Sequence, residues 1–247
     1  MNGSKSGTLF GVGLGPGDPE LMTLKAVRVL NSAPVVAHFR KSGRPGHART
    51  IASSHICADV IEAAFEYPVT TEIGFREEGY VSAIREFYSA SAAAITKHLA
   101  AGRDVALLCE GDPFFYGSFL HMYDRIKAMH PVMVIPGITG MSGCWTAAQA
   151  PITYGDDVLT VLPGTLDRAS LAKHLGSADA AVIMKVGHNL EKIKGALADA
   201  GRFNDAIYVE RGTMPGERIV PLAELHECAV PYFSIILLPG GRGRRIS

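Results

Sequence analysis

Short apolar runs alternate with helical patterns along the first two thirds of this 247-residue chain, and that alternation admits few architectures. Thr8 to Leu14 reads as a strand, Glu20 to Leu30 as a helix and Pro34 to Phe39 as a strand. A longer helical stretch covers Gly79 to Leu99. Asp104 to Cys109, DVALLC, reads as a buried strand and Tyr116 to Met129 as a helix. Val132 to Ile135 reads as a strand, and Thr139 to Gln149 as a helix of small residues. Buried strands separated by helices predict a mostly parallel sheet.

After APITYGDD, residues 150–157, the pattern changes. Five strand candidates follow: Val158 to Leu162, Ala180 to Val186, Ala206 to Glu210, Arg218 to Leu222 and Tyr232 to Leu238. Only two clear helices lie among them, near Ala169 to Leu175 and Leu190 to Ala200. Closely spaced late strands predict antiparallel pairing, hence a mixed sheet. The expectation is two α/β domains, residues 1–154 and 155–247. Small-molecule sites favour the interface of two such domains. The tail GRGRRIS reads as a solvated, frayed end.

Charge and cysteine usage narrow the function classes. Lys plus Arg and Asp plus Glu both number 24, which argues against holding nucleic acid by phosphate neutralisation alone. No run approaches the ~18 to 20 apolar residues of a membrane span, and the start MNGSKSGTLF lacks a secretory apolar core. The four cysteines, Cys57, Cys109, Cys144 and Cys228, are widely spaced, with Cys109 in apolar surroundings. A reducing cytoplasm is the simplest setting. The nine histidines show no HxxxH or HExxH spacing, so no metal site is expected.

The first strand runs into GVGLGPGDPE, residues 11–20. A Gly-rich turn between strand and helix brings backbone close to a ligand. The dinucleotide fingerprint fails on spacing, however. Counted from Gly11 the third glycine falls on Pro16, and counted from Gly13 it falls on Asp18. This weighs against a nicotinamide-dependent dehydrogenase. No Gly-Lys-Ser/Thr follows either, so the turn is not a P-loop. A local role is clear: Asp18 caps a helix with Pro19 at its first position.

Five segments, in order, resemble the tetrapyrrole methylases. They are GVGLGPGDPELMT (11–23), CEGDPFFYGS (109–118), IPGITGMSG (135–143), VIMKVG (182–187) and YVERGTMPGE (208–217). Within that family, MTLKAVRVL, EGDPFFYGSF, VLPGTL, MKVGHNLEKI and PYFSIILLPG are most similar to the branch that methylates precorrin-2 at carbon 20. The resemblance implies a bilobal homodimer that holds S-adenosylmethionine between two α/β domains. It implies cofactor contacts from Pro16, Glu110, Gly111, Asp112, Phe115, Thr139, Gly140, Met184 and Gly212, with Met184 against the adenine. Gly140 stands where related enzymes often carry Ser or Ala. It implies a small-molecule tetrapyrrole substrate, no nucleic acid, no membrane and no metal.

From the residues alone, Asp112 follows a buried strand at the carboxyl end where open α/β sheets bind ligands. Met184 lies in AAVIMKV and reads as core when the family is set aside. Methyl transfer from a sulfonium neutralises a cation, so an enzyme gains more from orienting and desolvating than from an anionic clamp. A proton must also leave the substrate. Tyr116, Tyr232, Glu110 and His188 are candidate bases only, and for each a satisfied structural role is the stronger reading.

Precorrin-2 carries eight carboxylates, which need basic partners. From Leu21 to Ala58 there is no Asp or Glu, while Lys25, Arg28, Arg40, Lys41, Arg44 and Arg49 are all present. The densest part, HFRKSGRPGHAR at 38–49, is expected as a Gly/Pro loop after the second strand. By charge alone this run reads as a solvated positive face; the resemblance, which places a substrate trough nearby, makes Arg40, Lys41, Arg44 and Arg49 the substrate-binding candidates. A cobalt-loaded substrate, or an RNA- or protein-modifying methylase of the same fold, stays open at this point. A non-enzymatic nucleotide sensor has no positive feature in its favour.

Overall fold

A computed structural model describes residues 6–68 and 78–241. In chain order the first elements are β1 (Leu9–Gly13), α1 (Leu24–Ser32), β2 (Val35–Lys41), α2 (His47–Ile51) and β3 (Ile61–Tyr67). They are followed by α3 (Glu78–Ala100), β4 (Val105–Cys109), α4 (Phe119–Ile126) and β5 (Val132–Ile135). Then come α5 (Gly140–Ala147), β6 (Leu159–Pro163), α6 (Arg168–Ser177), β7 (Ala180–Met184) and α7 (Leu190–Asp199). The last are β8 (Ile207–Glu210), β9 (Arg218–Pro221) and β10 (Ser234–Leu238). The basic tail beyond residue 241 lies outside the described residues.

The first unit, Met1–Thr139, holds a five-stranded sheet of order β3-β2-β4-β1-β5 in which every pair is parallel. All five residues of β4 are buried, as their unbroken apolar run requires of a central parallel strand. On one face Leu9, Val35, Ala37, Val105 and Leu107 meet α3 and α4. Helix α3 presents Tyr88, Ala92, Ile95 and Leu99, a spacing of three and four that keeps one helical stripe against the sheet. Ile95 and Leu99 are fully buried, and each contributes about 1.5–3 kcal/mol by leaving water.

Local signals place the helix ends. Asp18 accepts from the Glu20 N–H at 2.9 Å, with Pro19 opening a short 3₁₀ turn, so the expected cap exists. The helix expected from Glu20 to Leu30 is two elements. Thr23 caps α1 by accepting from Ala26 N at 3.1 Å, and Pro34 follows the helix end at Ala33.

The second unit, Gly140–Ser247, holds a mixed sheet of order β6-β7-β10-β8-β9. Strands β6 and β7 are parallel; β10 runs antiparallel to both β7 and β8, and β8 antiparallel to β9. One face packs on α6 and α7 through Leu171, Leu175, Leu190, Ile193 and Leu197. The other carries Cys144, Ile152, Val182, Val209 and Leu237. The units divide at Thr139 and Gly140, earlier than the junction near residue 154 drawn from composition. The reason is packing: Cys144 of α5 and Ile152 are buried with residues of β7, β8 and β10. Among the described residues, no helix is long and apolar enough to cross a membrane.

Candidate functional site

In the first unit β4, β1 and β5 end side by side, because they are parallel neighbours in register. Their exit turns are locked backbone to backbone. Gly15 and Gly111 form an isolated antiparallel bridge, with Gly111 N–H donating to Gly15 O at 2.8 Å. Gly137 approaches so closely that a Cβ there would lie 2.1 Å from the Gly111 carbonyl oxygen and 2.9 Å from Gly13 Cα. Only glycine fits at that crossing.

Asp112 staples the same turns. Its Oδ1 accepts from Phe114 N at 2.9 Å, and its Oδ2 accepts from Gly137 N at 3.1 Å. Both carboxylate oxygens thus serve the backbone, one on each side of the gap between the β4 and β5 turns. Pro16 is buried in this framework, and Phe115 is half-buried with its ring edge-on to Tyr116 at 4.9 Å. Tyr116 is left-handed (φ 55°), which ends the helix expected from Tyr116 before it starts; α4 begins at Phe119. Cys109 is buried beneath, and burial pushes its thiol well above the ordinary range.

Glu110 faces the basic strip. Its Oε1 accepts from the Ala48 N–H, in the first turn of α2, at 3.0 Å. That capping is a structural task for one candidate base. Of the others, Tyr116 and Tyr232 are 46% and 80% exposed, and exposed His188 sits in a short 3₁₀ turn. Thr139 is half-buried beside Gly140, and nothing lies within 4 Å of where a Gly140 Cβ would stand. A small side chain has room there.

The second unit builds its turns differently. Met184 is the last residue of β7, half-buried against the cluster of Cys144, Val182 and Val209. Its carbonyl accepts from Gly164 N at 2.6 Å. The next residue, Lys185, is left-handed (φ 57°). At the end of β8, Arg211 (φ 50°) and Thr213 (φ 67°) flank Gly212. Left-handed residues other than glycine cost about 1–3 kcal/mol each and cluster where a site imposes them. Here surrounding bonds impose the shape. Arg211 N–H donates to Phe233 O at 2.8 Å, and Thr213 N–H to Glu217 Oε2 at 2.7 Å. Below, the fully buried Tyr208 donates to Glu210 Oε2 at 2.9 Å; burial pushes its phenol up to about 12. A Cβ on Gly212 would lie 2.7 Å from Cys144 Sγ, so that turn rests directly on α5. Burial pushes the Cys144 thiol up to about 12, which leaves it a neutral packing group at ordinary pH.

The basic strip is not the loop expected. His38, Arg40 and Lys41 lie in β2, and Arg49 lies in α2. Strand β3, unseen in the sequence reading, supplies acidic partners. Arg40 Nη2 donates to Glu66 Oε1 at 2.6 Å and Arg49 Nε to Glu62 Oε1 at 3.1 Å. The buried His38 Nε2 lies 2.9 Å from the same Glu62 oxygen. Burial pushes the Glu62 carboxyl up, but the bonds from His38 and Arg49 outweigh it and hold the group below its ordinary value. Lys41 and Arg44 remain exposed. The correction has a simple cause: Glu62 and Glu66 lie just beyond the acid-free stretch and return beside it only through β2–β3 pairing.

The geometry thus gives closely packed turns at strand ends in each unit and, in the first, one strip of partly neutralised cations. The family model for Tetrapyrrole (Corrin/Porphyrin) Methylases matches residues 8–226. The chain belongs to the tetrapyrrole methylases. This methylase is 52% identical over 244 residues to the precorrin-2 C(20)-methyltransferase of Sinorhizobium sp, covering 99% of this chain and 100% of that one. It is 28% identical to the cobalt-precorrin-2 C(20)-methyltransferase of Salmonella typhimurium, covering 94% and 96%. Among solved structures, the methylase fold matches the uroporphyrin-III C-methyl transferase of Thermus thermophilus complexed with S-adenyl homocysteine. The TM-score is 0.66 at 24% identity, over 94% of this chain and 92% of that one.

Proposed function

We propose that this methylase transfers the methyl group of S-adenosylmethionine to carbon 20 of precorrin-2, giving precorrin-3A in cobalamin biosynthesis. The observation that carries this reading is the end-to-end 52% identity to a precorrin-2 C(20)-methyltransferase. The same observation favours a metal-free over a cobalt-loaded substrate, since the cobalt-precorrin relative is 28% identical. The neutralised basic strip weighs against an RNA-modifying role.

Bound adenosylmethionine supplies an electrophilic methyl group. The chain's part is to orient and to exclude water. Pro16 lies in the loop that faces the cofactor, Glu110, Gly111, Asp112, Phe115, Thr139 and Gly140 contact its methionine part, and Met184 and Gly212 its adenine. Asp112 fits an orienting role, because its carboxylate is already spent on Phe114 and Gly137 N–H groups. It therefore holds the two turns in place instead of serving as a dedicated clamp on the sulfonium. Met184 presents a soft, half-exposed thioether to a ring. Arg40, Lys41, Arg44 and Arg49 receive substrate carboxylates. The protein works as a homodimer in a reducing cytoplasm, consistent with free Cys57 and Cys228 on its surface.

The test is direct. Incubated with adenosylmethionine and precorrin-2, the protein should add one methyl group by mass, at carbon 20 by NMR. Calorimetry should detect adenosylmethionine and its demethylated product but not NAD. No methyl gain, or binding of NAD in place of adenosylmethionine, would overturn the reading. A monomer mass in light scattering at micromolar concentration would overturn the homodimer.

A further inference from the structure

The strip assigned above to substrate carboxylates already holds carboxylates of the chain itself. Arg40 stands directly opposite Glu66 in the β2–β3 register, and their side chains meet at 2.6 Å. Arg49 meets Glu62. Two of the four candidate cations are therefore neutralised before any ligand arrives. The Arg40–Glu66 pair is shallow, with the two side chains 36% and 42% exposed. It also underuses the guanidinium. One Nη atom is engaged by one carboxylate oxygen, while Arg40 Nε is buried without a hydrogen-bond partner. A carboxylate that takes both Nη atoms pairs more strongly than one that takes a single donor.

From this we infer that Glu66 is an internal competitor for the substrate's carboxylates, and so a specificity-determining residue. It occupies Arg40 until a ligand with enough negative charge displaces it. A ligand with few carboxylates gains too little at Lys41, Arg44 and Arg49 to do so. Two effects share this sign: direct competition for Arg40, and repulsion between Glu66 and an incoming anion. The opposing effect, orientation of Arg40 by Glu66, is weak because exposed ion pairs hold side chains loosely. Glu62 differs. It binds buried His38 as well as Arg49, so its loss alters stability along with charge and it makes a poor probe of binding.

The inference rests on the tetrapyrrole reading but is separable from it. The experiment titrates wild type and Glu66→Gln with uroporphyrin, an octacarboxylic ring, and with coproporphyrin, a tetracarboxylic one, followed by absorbance. Glu66→Gln should bind uroporphyrin about two- to fivefold more tightly at low salt. The gain should be smaller for coproporphyrin, should shrink as salt is raised, and should vanish in an Arg40→Ala background. Adenosylmethionine affinity should not change. Unchanged or weaker uroporphyrin binding by Glu66→Gln, or no binding by either protein, overturns the inference. Failure to methylate precorrin-2 while the porphyrin affinities shift as described would remove the proposed function and leave the competitor role standing.

Discussion

The turns that end β1, β4 and β5 and the basic strip of β2 and α2 lie in the same unit, yet they are built on opposite terms. The turns are backbone against backbone. Gly15 and Gly111 exchange main-chain bonds, Gly137 crosses at a distance only glycine allows, and Asp112 fastens both sides. The strip is side chain against side chain, with Arg40 and Arg49 resting on Glu66 and Glu62. A backbone framework is rigid and indifferent to salt. A half-exposed ion-pair strip is adjustable, and salt screens it. Under the proposed function, the first region would hold a partner of fixed shape and the second a highly charged one.

The largest expected effect breaks the framework. Gly137→Ala forces a Cβ to within 2.1 Å of the Gly111 carbonyl oxygen. Overpacking of this kind costs about 1–3 kcal/mol, which for a chain of this size lowers Tm by roughly 2–12 °C. Adenosylmethionine binding should fall with it. Gly140→Ala, with nothing within 4 Å of the added carbon, should leave Tm within about 2 °C of wild type. Thermal melting of the two variants checks the difference. Equal melting temperatures would mean the crossing at Gly137 is loose.

Met184→Asp sharpens the comparison from the second unit. Placed half-buried at the end of β7, it should raise the adenosylmethionine Kd about tenfold or more and leave most of the fold intact. Calorimetry beside a melting curve separates this from general unfolding, which a plain core position would produce.

Much of the framework was legible in the sequence, and most of the strip was not. DVALLC and the other buried runs announced parallel strands through their lack of polar positions, and strand ends followed from strands. The resemblance names Asp112, its place after a buried strand agrees, and the structure shows its carboxylate fastening the β4 and β5 turns. Strand β3, IEAAFEY, was missed because its glutamates read as surface, and because an edge strand lacks the unbroken apolar run of a central one. With β3 went the pairing of Arg40 and Glu66, residues 26 apart in sequence that meet only through sheet register. The left-handed Lys185, Arg211 and Thr213 gave no residue-type signal; their shape comes from bonds such as Arg211 to Phe233.

Smaller effects probe the strip. Arg40→Ala with Arg44→Ala should raise KM for precorrin-2 by up to about tenfold, with Arg44 the larger contributor because Arg40 is already neutralised. KM for adenosylmethionine should stay unchanged in steady-state assays. The smallest effect is on stability. Glu62 ionises below its ordinary value when folded, so the stability it adds is complete above the ordinary glutamate range. That stability is lost as pH falls through the lowered value. Melting wild type against Glu62→Gln across acidic pH should show a gap at neutral pH that closes in that window. A constant gap would mean that the charge on Glu62 contributes nothing.

The most direct test of the account sets the two regions side by side in one enzyme. KM for adenosylmethionine and for precorrin-2 is measured with the wild-type protein as salt rises from low to several times physiological concentration. The account predicts a nearly flat KM for adenosylmethionine, held by backbone turns, and a steadily rising KM for precorrin-2, held by exposed cations. Equal salt slopes for the two ligands, or a flat response for precorrin-2, would contradict it.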